Sequence, residues 1–194
     1  AAASAVATRV LARPDSRVLG LVGAGNLARE HLLALRTVRD FERIVISSRT
    51  RERAEALAAE FADASAEVVD SVEDVFGLAD VVCTLTPSVH PLVQGEWLRP
   101  GQHLNVVGAR PRPDEREVDA ATMARSSVWV DDRATAETKS GDLLLAVAES
   151  GMALADVVGT IGEVIARRVR GRASDEEITL FDSVGIGAPD LAIA

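Results

Sequence analysis

The chain has 194 residues, 47% of them hydrophobic and only 3% aromatic, which suits one domain with an aliphatic core rather than a disordered chain. A formal net charge of −9 and a single lysine argue against a general role in binding nucleic acid or anionic lipid. The single cysteine, Cys83, excludes an internal disulfide, and no apolar run reaches the ~18 residues of a membrane span, so we expect a cytoplasmic protein.

Predicted strands and helices alternate along most of the chain. The apolar segment that ends at Pro14 predicts an amphipathic helix. Six apolar runs then predict strands at 17–22, 43–48, 67–69, 80–85, 103–107 and 127–130. Between them the pattern favours helices at 27–38, 51–61 and 118–125, and a short helix opened by Ser71. This alternation predicts an α/β fold, a doubly wound parallel Rossmann sheet flanked by helices, with strand order 3-2-1-4-5-6. Beyond residue 132 the alternation gives way to a polar stretch that leads into 143–149, a predicted helix at 161–170 and a strand-like run at 178–182.

The first of these strands ends in a glycine turn, G-A-G-N-L-A, that opens a predicted helix. Gly23 would permit the tight turn, Gly25 would let the backbone approach a pyrophosphate, and Ala28 is small enough for close helix–strand packing. The first amides of the helix would favour phosphate groups. The alternative is an ordinary strand–helix turn that contains two glycines. We interpret the turn as a dinucleotide site made by Gly23, Ala24, Gly25, Asn26 and Leu27.

The end of the second predicted strand carries an arginine where folds that choose NAD usually carry Asp or Glu. Arg49 can stack on adenine or pair with a 2′-phosphate, and Ser48 and Thr50 can donate hydrogen bonds to that phosphate. This pattern predicts a preference for NADP(H), with NAD(H) as the second cofactor. The alternative is that these residues only form a solvated helix start.

Several longer strings, taken in their order, resemble the ornithine cyclodeaminase/mu-crystallin family. They are VGAGNLAREHL, SSRT, ADVVCTLTPSVHPLVQGEWLRPGQHLNVVGA, REVD, SGDL and ITLFDSVGIGAPDLA, and the resemblance runs from the first helix to the last residues. The string that starts at Thr86-Pro87-Ser88 and the ITLFDSVG string are much more specific than the glycine turn. Members of this family bind NAD(H) or NADP(H) and act on amino acids or cyclic imines.

The resemblance also implies a substrate domain of ~100 residues ahead of the Rossmann domain, which would carry the substrate-binding Lys and Arg. Catalytic residues are therefore not assigned in this chain, which should bind cofactor and turn over little by itself. We expect a linking helix over 1–14, a dinucleotide-binding domain over 15–135, and an extension over 136–194 that packs on it and would return to the missing domain. The complete enzyme is expected to be a homodimer that acts on an amino acid or cyclic imine.

The resemblance favours a reductase over a lyase. The true cyclodeaminases resembled here carry an Asp shortly after the glycines of the fifth strand, and Arg110 stands in that place. The chain is thus closer to the ketimine reductases and alanine dehydrogenases, which implies imine reduction or reductive amination of a keto acid. An ornithine cyclodeaminase with bound NAD and a non-catalytic NADP-binding protein are the alternatives. Arg110 or Arg112 would bind an anionic substrate or the phosphates, unless they lie in a surface loop.

Further cofactor contacts are expected where other strands end, because ligands of such sheets bind outside the carboxyl ends of the strands. The ends of the fourth and fifth strands would line the ribose and the nicotinamide. A third segment resembles the family segment that approaches the carboxamide, with a turn before the final helix as its alternative. These residues are Thr84, Leu85, Thr86, Val107, Gly108, Ala109, Ser183, Val184 and Gly185.

The remaining polar residues do not predict a metal site. His31, His90 and His103 have no Cys, Asp or Glu at metal-ligand spacing, and structural or surface roles are expected for them. Cys83 is expected to be a small buried side chain. The Ser140-Gly141-Asp142 string matches the family without an evident physical role, and Asp131 and Asp132 are expected in a solvated turn.

Overall fold

The computed structural model describes residues 1–185, which form one parallel sheet with helices on both faces. The strands are β1 (Val18–Val22), β2 (Arg43–Ser47), β3 (Ala66–Val68), β4 (Val81–Thr84), β5 (His103–Val106), β6 (Ser127–Val130), β7 (Gly159–Thr160) and β8 (Thr179–Asp182). The helices are α1 (Ala2–Leu11), α2 (Asn26–Leu35), α3 (Arg51–Glu60), α4 (Val72–Leu78), α5 (Ala120–Ala124), α6 (Arg133–Lys139), α7 (Gly141–Ser150) and α8 (Ile161–Ile165). No helix in this described part of the chain has the length and hydropathy to cross a membrane.

The predicted Rossmann fold is confirmed, with one error in the strand order. The sheet runs β3-β2-β1-β4-β5-β8-β6-β7, and its strand pairs are parallel. The predicted order 3-2-1-4-5-6 is right through β5 and wrong beyond it, because β8 lies between β5 and β6.

The central place of β8 follows from its burial on both faces. Leu180 packs in the same cluster as Leu104 and Val128 on one face, whereas Phe181 packs with Trp129 on the other. All four residues of β8 are buried. A strand that is apolar on both faces exposes least apolar surface to water when it lies inside a sheet, so it lies between its neighbours rather than at an edge.

Successive side chains of each strand point alternately into two hydrophobic cores, one on each face of the sheet. Helices α1, α2 and α3 cover one face over Leu19, Leu21 and Ile44, and α4 to α7 cover the other over Val22 and Val82. Because both faces are covered, the polar ends of the parallel strands are the exposed part of the sheet and meet at one edge. The division into a linking helix, a dinucleotide-binding domain and an extension stays a prediction.

The segment after β6 differs from its prediction in three ways, the first being the short edge strand β7, which was not predicted. Helix α6 was not predicted, and the helix expected over 161–170 ends at Ile165. Arg167 has φ +58°, a left-handed conformation that a continuing helix does not allow. The turn brings the Arg170 carbonyl to 3.1 Å from the Trp129 indole Nε1, which donates a hydrogen bond to it. The buried indole N–H therefore has a partner that a helix continuing to residue 170 would not provide.

Candidate functional site

The glycine turn lies at the carboxyl end of β1, pressed between the ends of β2 and β4. Gly23 has φ +110°, and its amide donates to the Ser47 carbonyl at 2.8 Å. A Cβ on Gly23 would lie 3.0 Å from the Leu85 carbonyl oxygen, whereas a Cβ on Gly25 would meet nothing within 4 Å. Gly23 is therefore required by the fold, and Gly25 borders open space.

The amino terminus of α2, which follows this turn, has no side-chain cap. Its N-cap residue is Gly25, so the first amides of α2 have no side chain to bind. Helix α3 also lacks a side-chain cap, whereas α4 to α8 are capped by the side chains of Ser71, Asp119, Asp132, Ser140 and Thr160. The uncapped amides and the helix dipole make this end of α2 a favourable place for an anion.

The turn opens on a cleft of about 570 Å³. The cleft extends over the ends of β2, β3 and β4, where parallel strands of a doubly wound sheet present their ligand-binding edge. Asn26 and Leu27 begin α2, and Leu27 is 49% exposed. Of the sequence-predicted residues, the cleft is lined by Gly23, Ala24, Gly25, Ser48, Arg49, Thr50, Leu85 and Thr86.

Part of this lining was not predicted from the sequence. Arg53 lies in the first turn of α3, and the Asp70-Ser71-Val72 segment follows β3. Leu92 closes the side next to the β4 loop. The end of β3 was predictable in principle, since it must reach the same edge of the sheet as β1 and β2.

Two arginines at the cleft keep their charged groups unpaired. Within residues 1–185, no hydrogen bond or ion pair engages the guanidinium of Arg49 or of Arg53, and both residues are exposed. Arg51 differs, because its guanidinium binds Glu55 at 2.9 Å and Asp70 at 2.8 Å. The cleft therefore presents two cations that are free to bind an anionic group.

A buried glutamate that sequence analysis did not single out connects the ends of β4 and β5. The carboxylate of Glu117 accepts hydrogen bonds from the hydroxyl of Thr84, from the amide and hydroxyl of Thr86, and from the amide of Gly108, at 2.6 to 2.7 Å. Thr84 itself is buried and points into this network rather than into the cleft. The only sequence signal was the REVD string, which was noted without a role.

The SGDL string now has a physical role. Asp142 accepts the amides of Glu117 and Val118 at 2.9 Å each and so holds the backbone of the REVD segment. Ser140 caps α7 by accepting the Leu143 amide, and its hydroxyl donates to Asp182 at 2.6 Å. The string thus joins α7 to the segment that carries Glu117 and to the end of β8.

A second, much smaller cavity of about 10 Å³ lies at the ends of β5 and β8. Val107, Ala109, Ser183 and Val184 are among its lining residues. Asp131 accepts hydrogen bonds from the Ser183 hydroxyl and, at 2.8 Å, from the Gly185 amide. The turn at 131–132, which was expected to be solvated, therefore connects the end of β6 to the segment after β8 through Asp131. Its second residue, Asp132, caps α6.

Arg110, on the rim of this small cavity, is held by a buried acid. Its guanidinium makes two hydrogen bonds to Glu115, at 2.6 and 2.8 Å, and Arg112 reaches the same carboxylate at 3.2 Å. Glu115 is only 4% exposed, and its single negative charge is shared by the two guanidinium groups. This pairing orders the loop that carries both arginines.

Three buried carboxylates lie under the β5 and β8 ends with no arginine or lysine bound to them in the described chain. Burial raises the pKa of Glu117 and, with repulsion from Asp182, raises that of Asp142 well above its ordinary value. Burial also raises the pKa of Asp182 to about 7. The electrostatic free energy of such a cluster is lowest when one of its carboxyl groups is protonated.

The histidines and the cysteine agree with the structural roles expected for them. His31 contacts the Leu27 carbonyl and the Ser4 hydroxyl, and burial lowers its pKa to about 4. His103 lies beside Thr179, where burial lowers its pKa to about 3, and His90 is in an exposed loop. Burial raises the pKa of Cys83 to about 12, so it is an inert core thiol. Residues 1–185 contain no group of three or more metal-ligating side chains.

Known proteins share both the sequence and this geometry. Ketimine reductase mu-crystallin of Mus musculus is 39% identical over 194 residues, and alanine dehydrogenase of Archaeoglobus fulgidus is 36% identical over 193 residues. Both alignments cover 100% of this chain, and they cover 58% and 59% of the relatives. The chain therefore spans less than two thirds of the length of these relatives.

Solved structures give the same result. The Δ1-pyrroline-2-carboxylate reductase of Thermococcus litoralis, in complex with NADH and L-proline, superposes with a TM-score of 0.93 at 32% identity, over 97% of this chain and 59% of that one. An archaeal alanine dehydrogenase dimer with bound NAD superposes with a TM-score of 0.92 at 36% identity, over 98% of this chain and 59% of that one. The family match itself extends over residues 1–194. The chain belongs to the ornithine cyclodeaminase/mu-crystallin family.

Proposed function

We propose that this chain is the NADP(H)-binding part of an oxidoreductase that reduces an imine or ketimine, or reductively aminates a keto acid. The observation that carries the proposal is the uncapped amino terminus of α2, which opens at Gly25 on a cleft of about 570 Å³. Relatives with this architecture were solved with NADH or NAD, and relatives of similar sequence are ketimine and pyrroline-2-carboxylate reductases.

The residues around the cleft suit the parts of such a cofactor. The amides at Gly25, Asn26 and Leu27 would hold the pyrophosphate, because they are donors at the positive end of a helix dipole. The β4 and β5 ends and the Ser183–Gly185 segment would receive the nicotinamide half. When bound, the cofactor supplies the hydride, and the chain contributes orientation and exclusion of water.

The preference for NADP(H) over NAD(H) rests on the unpaired guanidinium groups of Arg49 and Arg53. A 2′-phosphate would bind them through charge-assisted hydrogen bonds, and Ser48 and Thr50 add hydroxyl donors beside them. An unphosphorylated ribose would leave both cations without a partner.

The dissociation constants of NADPH and NADH test this preference. We expect Arg49→Ala to weaken NADPH binding by about 10- to 100-fold, which is the loss of a charged hydrogen bond, and to change NADH binding less than about twofold. Arg36→Ala is the matched control, because Arg36 pairs with Asp63 away from the cleft. Equal affinities for the two cofactors, unchanged by Arg49→Ala, would contradict the preference.

Reduction is proposed over cyclodeamination because Arg110, paired with Glu115, occupies the place where the cyclodeaminases carry their Asp. The complete gene product should oxidise NADPH in the presence of pyrroline- or piperideine-carboxylate, followed at the absorbance of the reduced nicotinamide. Release of ammonia from ornithine without net NADPH oxidation would instead indicate a cyclodeaminase. Cofactor binding without either activity would indicate a non-catalytic binding protein.

We also propose a homodimer that acts on a small amino acid or cyclic imine in the cytoplasm. The archaeal alanine dehydrogenase of known structure is a dimer, and the lone, buried Cys83 suits a reducing compartment. Light scattering on the complete gene product measures the oligomeric state directly.

A further inference from the structure

Glu117 is fully buried, and the structure uses each of its polar groups. Its amide donates to Asp142, and its carbonyl accepts the amides of Leu92 and Val93. Its carboxylate accepts four hydrogen bonds from the ends of β4 and β5: one from Thr84, two from Thr86 and one from Gly108. The side chain is therefore anchored at its own backbone and holds two loops that come from different strands.

The two loops that Glu117 holds are in direct contact. A Cβ on Gly108 would lie 2.0 Å from the Thr86 amide nitrogen, so Gly108 cannot carry a side chain in this arrangement. Leu85 and Thr86 line the large cleft, and Val107 and Ala109 line the small cavity at the ends of β5 and β8. A change in the spacing of the loops would therefore alter the lining of both cavities.

The two carboxylate oxygens have separate backbone partners. The Thr86 amide donates to Oε1 at 2.6 Å, and the Gly108 amide donates to Oε2 at 2.7 Å. A threonine hydroxyl can rotate to accept a hydrogen bond, but a backbone amide only donates. A glutamine in this place would direct its NH₂ group at one backbone amide in either orientation, so only a carboxylate satisfies both loops.

We propose that Glu117 is a positioning residue that fixes the β4 and β5 loops in the arrangement that receives the nicotinamide half of the cofactor. The inference rests on the proposed function, which supplies the identity of the ligand. Glu117 acts through Thr84, Thr86 and Gly108 and does not itself line the large cleft. The pyrophosphate and the 2′-phosphate would bind at α2 and at Arg49, which Glu117 does not contact, so their binding should depend on Glu117 much less than binding of the nicotinamide half does.

This separation gives a test based on two ligands. NADPH contains the nicotinamide, whereas 2′-phospho-ADP-ribose keeps the adenosine half and the pyrophosphate without it. We expect Glu117→Gln to weaken NADPH binding by about tenfold, the effect of one lost hydrogen bond to a charged group, and to change the binding of 2′-phospho-ADP-ribose less than about twofold. An equal loss for both ligands, or no loss for either, would overturn the proposal.

A second pair of variants covers the outcome in which Glu117→Gln does not fold. Thr84→Val keeps the shape of the buried side chain and removes its hydroxyl donor to Glu117, whereas Thr84→Ser keeps the donor. We expect the valine variant to show the nicotinamide-specific loss and the serine variant to bind both ligands as the wild type does. If the wild type binds neither ligand, the proposed function fails. If it binds both and neither Glu117→Gln nor Thr84→Val shows a loss specific to NADPH, only the role of Glu117 fails.

Discussion

Gly25→Ala should separate cofactor binding from folding. A Cβ at this position meets nothing within 4 Å, and Gly25 has φ −92° and ψ −171°, which alanine adopts without strain. Alanine is a poorer N-cap than glycine by about 1 kcal/mol at most, while the reduced freedom of the unfolded chain returns about 0.4–1 kcal/mol. The free energy of unfolding should therefore change by less than about 1 kcal/mol, or less than about 4 °C in melting temperature.

The effect of Gly25→Ala on binding should be much larger. The methyl group would occupy the space through which a pyrophosphate oxygen approaches the amides of α2. Loss of one charge-assisted hydrogen bond costs about 1.5–3 kcal/mol, which weakens binding by about 10- to 100-fold. Calorimetric titration with NADPH measures this change, and circular dichroism on heating measures the stability.

The control for Gly25→Ala is Gly77→Ala, which also adds a methyl group in open space but within α4, away from the cleft. This control should bind NADPH with unchanged affinity. If Gly25→Ala binds NADPH as tightly as the wild type, the turn does not contact the pyrophosphate and the reasoning is refuted.

Three further changes should alter stability. Gly23→Ala forces a side chain into φ +110° and should lower the free energy of unfolding by about 1–3 kcal/mol, measured by urea denaturation. Burial raises the pKa of Asp182 to about 7, above its unfolded value, so the stability that this group contributes is complete below about pH 4 and is lost as the pH rises through 7. The stability of the wild type relative to Asp182→Asn should therefore fall by roughly 2–4 kcal/mol between about pH 4 and pH 8, and a constant difference would contradict the buried charge. Trp129→Phe removes the hydrogen bond from the indole to the Arg170 carbonyl and weakens the stacking of the Arg170 guanidinium on the ring. It should lower the free energy of unfolding by about 1–3 kcal/mol, measured by thermal unfolding.

The parts of the fold that sequence predicted are those set by local chemistry. The glycine turn, the apolar strand at 18–22 and the cluster Ser48-Arg49-Thr50 follow from residues adjacent in the chain. Strand order depends instead on which apolar run is buried on both faces. The run at 178–182 was recognised as strand-like, but the burial of all four residues of β8, which suits a place inside the sheet, is visible only in the structure.

The role of Glu117 lay beyond local reasoning. Its partners Thr84 and Gly108 lie 33 and 9 residues away, and they meet only because the β4 and β5 loops pack against each other. A charged residue in a polar string such as REVD ordinarily lies in solvent, and nothing in the string indicates burial. A helix was predicted from residue 161, but its early end at Ile165 was missed for a similar reason, since the turn that follows it binds the distant indole of Trp129.

The place of β8 also has a consequence for how the chain folds. The strand that pairs with both β5 and β6 is the last one of the described chain, so the sheet has a gap until residue 182 is available. Until then β5 and β6 are unprotected edges, which favour pairing with other chains. Asp182 and Ser183 also line the small cavity beside β5, so this wall of the site is built in the same step that closes the sheet. Completion of the sheet and completion of the small cavity therefore both require β8, whose burial of Leu180 and Phe181 favours its insertion between β5 and β6.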